Sequence, residues 1–252
     1  MIEKDKLIIV ATHKEYRMPK DDMYLPIFVS TKEHDDGYVT DGTGDNISDK
    51  NYSYCELTAL YWAWKNTEYN YLGLVHYRRH FKGKGKGDKF DRILNASELS
   101  EYLADHDILL PKKRHYYIET NESQYLHAHH SEGLFVTRDM LSEYYPTYMD
   151  AWRSVMKSRS GHRFNMFIMK KKYANAYCEW LFDVLSKVEQ RLDISNWTTS
   201  EQRVFGYLAE RLLDVWLIAN KMTYKELPYM FMEKQHWGRK IKNFLARKFK
   251  HE

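Results

Sequence analysis

Cysteine is scarce in this chain, with two in 252 residues, and no stretch of 18 consecutive apolar residues occurs. The first scarcity excludes a disulfide framework; Cys55 and Cys178, both inside helical patterns, are expected as reduced thiols in a cytosol. The second excludes a membrane-spanning helix. The N-terminus opens with charges, and its apolar stretch Leu7-Ile8-Ile9-Val10-Ala11 is too short for a signal peptide. There is no internal repeat, no Gly-X-Ser-X-Gly elbow and no Walker-type loop, so hydrolase and NTPase readings are weak. What is present is globular. With 43% hydrophobic and 29% charged residues, the chain can bury a sizeable core, which excludes disordered and fibrous classes.

The net charge of +4 is unevenly spread. Residues 233–252 hold seven bases (Lys234, Arg239, Lys240, Lys242, Arg247, Lys248 and Lys250) against Glu233 and Glu252, a local charge of +5. Residues 1–232 therefore hold 32 bases and 33 acids, or −1, which argues against a broad nucleic-acid-binding face. Within the tail, Trp237, Ile241, Phe244, Leu245 and Phe249 recur at helical spacing. A basic amphipathic helix of this kind is expected to lie on an anionic membrane surface, against the plainer reading of a solvated or partner-binding helix. The chain thus divides into a body of residues 1–232 and a basic appendage of residues 233–252.

Residues 7–11 read as a buried strand ended by Thr12-His13-Lys14. A polar stretch from Glu33 to Asn51 reads as loop, and Ser53 with Glu56 matches a capping box opening the apolar helix Leu57–Asn66. A second strand, Tyr71–Val75, runs into His76-Tyr77-Arg78-Arg79, and the glycine- and lysine-rich segment 82–89 reads as a basic loop. A short helix near Ser97–Ala104 leads to a third strand, Asp107–Leu110, stopped by Pro111 and followed by Lys112-Lys113-Arg114. This rhythm predicts an α/β core with a mostly parallel sheet flanked by helices. Beyond it, helices are expected over Leu134–Val155 with a break at Pro146, over Tyr173–Arg191 and over Ser200–Asn220, with a strand-length run at Phe164–Met169, so the C-terminal half is more helical. Ligands of such sheets bind beyond the carboxyl ends of the strands, where the polar clusters fall.

Those clusters carry fixed positive charge at Lys14, Arg78, Arg79, Arg114 and Arg163, and arginine forks match paired phosphate oxygens. Alternation along the strand sends Arg78 and Arg79 to opposite faces. No Asp-X-Asp follows an apolar strand, so a divalent metal such as Mn²⁺ or Mg²⁺ is either replaced by cationic side chains or held by scattered ligands. Asp45 and Asn46, in a glycine-rich loop, are candidate donor contacts, or an Asx-type turn. The cluster His127, His129 and His130 suits sugar hydroxyls or phosphate better than zinc. Arg203, Gly206, Tyr207 and Glu210 share a helix face; Gly206 implies a close neighbour, and Glu210 is a candidate base or half of an ion pair. Trp62, Trp64, Trp180 and Trp216 sit at core spacing rather than as sugar platforms.

Several long strings resemble a known bacterial family: Val10-Ala11-Thr12-His13-Lys14 with Met18-Pro19 and Tyr24-Leu25-Pro26; Gly44-Asp45-Asn46-Ile47; Tyr54–Asn66; and Gly73–Arg79. Ser160-Gly161-His162-Arg163-Phe164-Asn165-Met166-Phe167, Arg203–Gly206 and Glu210–Leu212 extend the resemblance, which spans roughly residues 7–220. The family, long filed under unknown function, contains capsular and exopolysaccharide biosynthesis proteins regarded as glycosyltransferases, some assigned as galactofuranosyltransferases using UDP-galactofuranose. The resemblance implies a GT-A-like nucleotide-sugar-binding domain acting on a lipid-linked saccharide at the cytoplasmic face of the membrane. From the polar clusters at the strand ends, rather than from the family, Thr12, His13, Lys14, Asn46, His76, Arg78, Arg79 and Arg163 are expected to meet the UDP-sugar donor. His127, His129, His130 and Arg203 are expected to meet the acceptor, and Asp45, His162 or Glu210 to act as base. The alternative is a non-catalytic component that binds a nucleotide sugar or polysaccharide in an assembly complex.

Overall fold

The computed structural model describes residues 2–30 and 38–234. The chain runs through β1 (Ile2–Thr12), β2 (Tyr24–Phe28), β3 (Val39–Thr40), α1 (Asn51–Tyr54), α2 (Leu57–Asn66), β4 (Thr67–His76) and β5 (Arg79–Phe81). It continues through α3 (Ala96–Leu103), β6 (Ile108–Pro111), β7 (Arg114–His115), α4 (Asn121–Ala128), α5 (Ser131–Tyr144) and α6 (Met149–Lys157). Then come β8 (Ser160–Gly161), β9 (Phe167–Lys170), α7 (Lys171–Glu189), α8 (Val204–Ala219), β10 (Lys225–Leu227) and β11 (Tyr229–Phe231).

The central sheet has the order β10-β6-β9-β4-β1-β2-β3, with β5 and β11 paired at its side. Along that order the pairings are parallel except around β9, which runs antiparallel to both β4 and β6; at the side, β5 is antiparallel to β4 and to β11. The carboxyl ends of β1, β4 and β6 therefore share one edge, and the chain entering β9 arrives on that same edge. This is the expected α/β arrangement, with one strand reversed.

The strand patterns explain the layering. From Leu7 to Thr12, β1 is buried throughout, as a strand covered on both faces must be. Leu7, Ile9 and Ala11 join the larger core with α2, α7 and α8, while Ile8 and Val10 join a smaller core with Tyr77, Phe81, Leu99 and Ile168. Gly73 in β4 lies between Ile8 and Ile168, and a Cβ there would sit 2.7 Å from Ile8 Cδ1 and 2.9 Å from Ile168 Cγ1. Trp62, Trp180 and Trp216 are buried in the larger core, and Trp64 packs against it, as their spacing predicts.

Several local expectations are corrected. Ser53 lies in α1 and donates to Lys50 O, α2 opens after Glu56 with no side-chain cap, and the predicted capping box is absent. The capping box forms instead at α3, between Asn95 and Glu98. The strand over 71–75 extends from Thr67 to His76. The apolar run from Phe164 becomes strand only at Phe167, because Phe164 (φ 74°) and Asn165 (φ 53°) turn the backbone through the left-handed region. Helix α8 starts at Val204 rather than Ser200. Of the basic appendage, residues 235–252 lie outside the described residues, and with them the expected amphipathic helix. No helix among the described residues is long and apolar enough to cross a membrane.

Candidate functional site

At the carboxyl ends of β1 and β4 a cleft of about 260 Å³ opens between Thr12, His13, His76 and Arg78 on the sheet side and Cys55, Glu56, Thr199 and Arg203 on the helix side. Between His76 and Arg78 in the chain lies Tyr77, buried in the smaller core at 0% exposed. The rings of His13, Tyr16 and His76 lie 5.3, 5.0 and 4.4 Å from the Tyr77 ring. Lys14 Nζ and the Arg78 guanidinium sit 5.2 and 4.9 Å from the same centroid. One buried aromatic thus collects two cations and two imidazoles at the sheet edge.

Local chemistry fixes these positions. Thr12 is buried, its Oγ1 donates to Lys14 O at 2.6 Å, and the turn that follows points His13 and Lys14 outward. The Thr12 hydroxyl therefore shapes the turn. Arg78 N–H donates to His76 Nδ1 at 3.3 Å, holding that imidazole at the strand end. Arg78, in the turn between β4 and β5, lines the cleft, whereas Arg79 opens β5 and stacks on Phe164 at 4.2 Å, within the field of Glu56 and Glu210. The Nε groups of both arginines are buried with no hydrogen-bond partner among the described residues. Glu233 bridges the cations weakly, 3.5 Å from Lys14 Nζ and 3.8 Å from Arg78 Nη1. A carboxylate there occupies ground suited to a phosphate.

The electrostatics agree. Burial pushes the His76 imidazole down to about 2, with Arg79 and Arg78 adding to the effect. Burial, then Arg78, Lys14 and Arg203, also lowers His13. Burial first, and the fixed positive charge of the edge second, disfavour the imidazolium form of both rings. An anion entering the cleft relieves that field.

On the helix side stands a carboxylate that the sequence analysis had assigned only to a helix cap. Glu56 is half-buried, and its Oε1 accepts from Asn165 Nδ2 at 3.0 Å. Burial raises its carboxyl above the usual range, and the charge of Glu210 pushes the same way. Glu210 accepts from Phe164 N–H at 2.9 Å. Three left-handed non-glycine residues, Cys55 (φ 54°), Phe164 and Asn165, surround this pair. Such strain concentrates where structure holds a group for a purpose. Gly206 fulfils its predicted close approach: a Cβ there would lie 3.2 Å from Cys55 Sγ. Burial raises the Cys55 thiol to about 11, so it is protonated, and Arg203 Nε donates to its sulfur at 3.2 Å.

The other predicted residues are distributed unevenly. Arg163 is 2% exposed and committed to protein groups: it donates to Tyr116 Oη, His162 O and Glu210 O, and to Asn121 Oδ1. His162 is 0% exposed, with Nδ1 2.5 Å from Asp214 and Nε2 3.2 Å from Glu226. Neither is brought to the cleft, because both anchor the β8–α8 junction beneath it. Asp45 and Asn46 are likewise placed apart. Asp45 N–H donates to Asn66 Oδ1 and its carboxylate accepts from Tyr61, at the end of α2 opposite Glu56; Asn46 closes the Asx-type turn, accepting from Ser48 N–H. Of the histidine cluster, His129 stacks on Tyr207 at 4.0 Å, beside Arg203 at the cleft rim. His130 stacks on Trp197 at 4.4 Å and pairs with Glu201, and the exposed His127 pairs with Glu119. No group of three His, Cys, Asp or Glu side chains among the described residues is placed to hold a metal ion.

A search among proteins of curated function finds no match. Among solved structures, the chain is similar to the apo structure of WbbM, a bifunctional glycosyltransferase, with 30% identity and a TM-score of 0.82. The likeness covers 92% of this chain and 46% of WbbM, so the chain spans about half the length of that relative. The mixed α/β fold with its mostly parallel, helix-flanked sheet is thus the GT-A-like arrangement expected from the sequence. The family model described as "domain of unknown function (DUF4422)" matches residues 7–221, and the chain belongs to that family.

Proposed function

We propose that this chain is a glycosyltransferase that moves a sugar from a UDP-linked donor to a lipid-linked saccharide acceptor. The observation that carries the reading is the cleft at the β1 and β4 carboxyl ends, with Arg78 on the sheet wall, Lys14 beside it, and Arg203 and the half-buried Glu56 on the helix wall. Likeness to a bifunctional glycosyltransferase over nearly the whole chain supports the reaction class. Lys14 and Arg78 receive the diphosphate, and Arg203 meets the acceptor side, with His129 and Tyr207 beside it as a sugar-stacking surface. Glu56, whose raised carboxyl is a stronger base than an ordinary glutamate, takes the proton of the acceptor hydroxyl. The acceptor oxygen bonds to the anomeric carbon as the bond to UDP breaks, and the departing charge falls on Lys14 and Arg78. Among the described residues no three His, Cys, Asp or Glu side chains converge as a metal site.

Galactofuranose is our candidate for the sugar, capsule or exopolysaccharide assembly the setting, and the inner face of the cell membrane the place. The experiment is UDP release from UDP-galactofuranose in the presence of a lipid-linked acceptor, with and without EDTA. Acceptor-dependent release that Glu56→Gln abolishes supports the reading. Binding of the nucleotide sugar with no transfer to any acceptor would favour a non-catalytic binding component instead.

A further inference from the structure

Tyr117 and Ile118, 81% and 64% exposed, are the most solvent-exposed large apolar side chains among the described residues. They are adjacent and occupy the loop between β7 and α4. Tyr117 has φ 60°, and Ile118 N–H donates to Tyr116 O at 2.7 Å, which closes a three-residue γ-turn. A γ-turn of this positive-φ kind is rare and strained. Here it throws two apolar side chains into solvent, an outcome hydrophobic burial opposes.

The surrounding structure holds the turn in place. Tyr116 N–H donates to Arg159 O at 2.8 Å, and the Tyr116 hydroxyl accepts from the buried Arg163 Nε at 2.8 Å. Strand β7 pairs with β8 at one end of the loop, and Asn121 N–H donates to Ser158 O at 2.8 Å at the other. Exposed bases frame the tip: Lys112 and Arg114 before it, Lys157 and Arg159 on the neighbouring segment. Against them stand Glu122 and Glu119, and the latter is committed to His127 at 2.6 Å. The tip also lies toward the cleft's edge of the sheet, because its loop follows the carboxyl end of β6, which shares that edge with β1 and β4.

We propose that this tip docks the protein on an anionic lipid surface. Tyr117 and Ile118 enter the headgroup layer, and Lys112, Arg114, Lys157 and Arg159 meet the lipid phosphates. Tyrosine suits that depth, with an apolar ring and a wet hydroxyl. A projecting apolar pair ringed by cations complements a soft anionic sheet, whereas a folded partner would need a shaped surface to receive it. Docking through this tip depends neither on which sugar is moved nor on residues 235–252.

The test uses the full chain and vesicles of phosphatidylcholine with or without phosphatidylglycerol. Tyr117→Ser with Ile118→Ser is expected to weaken co-sedimentation with anionic vesicles about tenfold, with thermal unfolding unchanged. Arg114→Gln with Arg159→Gln is expected to weaken it similarly and to flatten its salt dependence. An environment-sensitive fluorophore on Ile118→Cys, with labelled wild type as blank for Cys55 and Cys178, shifts to the blue on anionic vesicles and not on neutral ones. An unshifted probe on protein that has co-sedimented overturns the proposal, because another part of the chain then holds the vesicle. A shift on a soluble acidic protein or polyanion but not on vesicles also overturns it.

Discussion

Two regions of this molecule are built from the same residue types and end in opposite states. At the ends of β1 and β4, Lys14 and Arg78 share one distant carboxylate, and the Nε groups of Arg78 and Arg79 have no partner among the described residues. At the β8–α8 junction, Arg163 and His162 are saturated by Tyr116, Asn121, Asp214 and Glu226. The first region has donors to spare and keeps its imidazoles neutral; the second has none to offer. A positive side chain near a strand end is thus a ligand group only when its neighbours leave it unsatisfied. Under the proposed function, that difference makes Arg78 the candidate diphosphate ligand and leaves Arg163 to support the fold.

The comparison can be broken or sharpened by experiment. The largest effect is expected from Glu56→Gln, which should lower the turnover number by about 10²- to 10⁴-fold, the usual contribution of a positioned base, while leaving donor binding unchanged. Initial rates and donor titration together check this. Arg163→Met should act on the fold instead. Removing one member of a buried, paired network costs about 3–5 kcal/mol, to be read from urea unfolding. If Arg163→Met left stability intact and weakened donor binding, the roles of the two regions would be reversed.

Acidity should affect the unsatisfied region selectively. His13, at the rim, is held below the ordinary imidazole value, so an incoming diphosphate favours its charged form, whereas His76, near 2, does not titrate in this range. A UDP-sugar, whose phosphates do not titrate there, should bind severalfold more tightly as pH falls from about 7.5 to about 5.5. Stability moves the other way. A folded-state value near 2 against an ordinary 6.5 for His76 gives a contribution that is complete above pH 6.5 and is lost as pH falls below it. Urea unfolding of wild type and His76→Gln at several pH values measures that slope. The smallest effect belongs to Glu233→Gln: releasing two exposed ion pairs should tighten donor binding by less than about fivefold.

Much of the fold was legible because buried strands and apolar helices have distinct periods. Leu7–Ala11 and Leu57–Asn66 carry that signal without ambiguity, and the clustering of polar residues after strands located the cleft edge before any coordinates. The reversal of β9 was not legible, since an apolar run does not encode its direction. Phe164 and Asn165, with their positive φ, had no glycine to betray them. Glu56 was mistaken for a cap because S-x-x-E fits that motif, and only the packing of Asn165 and Glu210 reveals its altered carboxyl. Arg163 and His162 were over-read for the converse reason: burial and partners are tertiary facts. Asp45 was drawn in by its glycine-rich loop, which folds onto Asn66.

The central claim is that the cation-lined cleft between the β1 and β4 ends binds the nucleoside diphosphate. Calorimetric titration of UDP into wild type and Arg78→Met tests it most directly. Loss of charge-assisted hydrogen bonds to phosphate should weaken binding by about 10- to 100-fold in the variant, with its unfolding transition unchanged. Equal affinity of the two proteins for UDP would contradict the account.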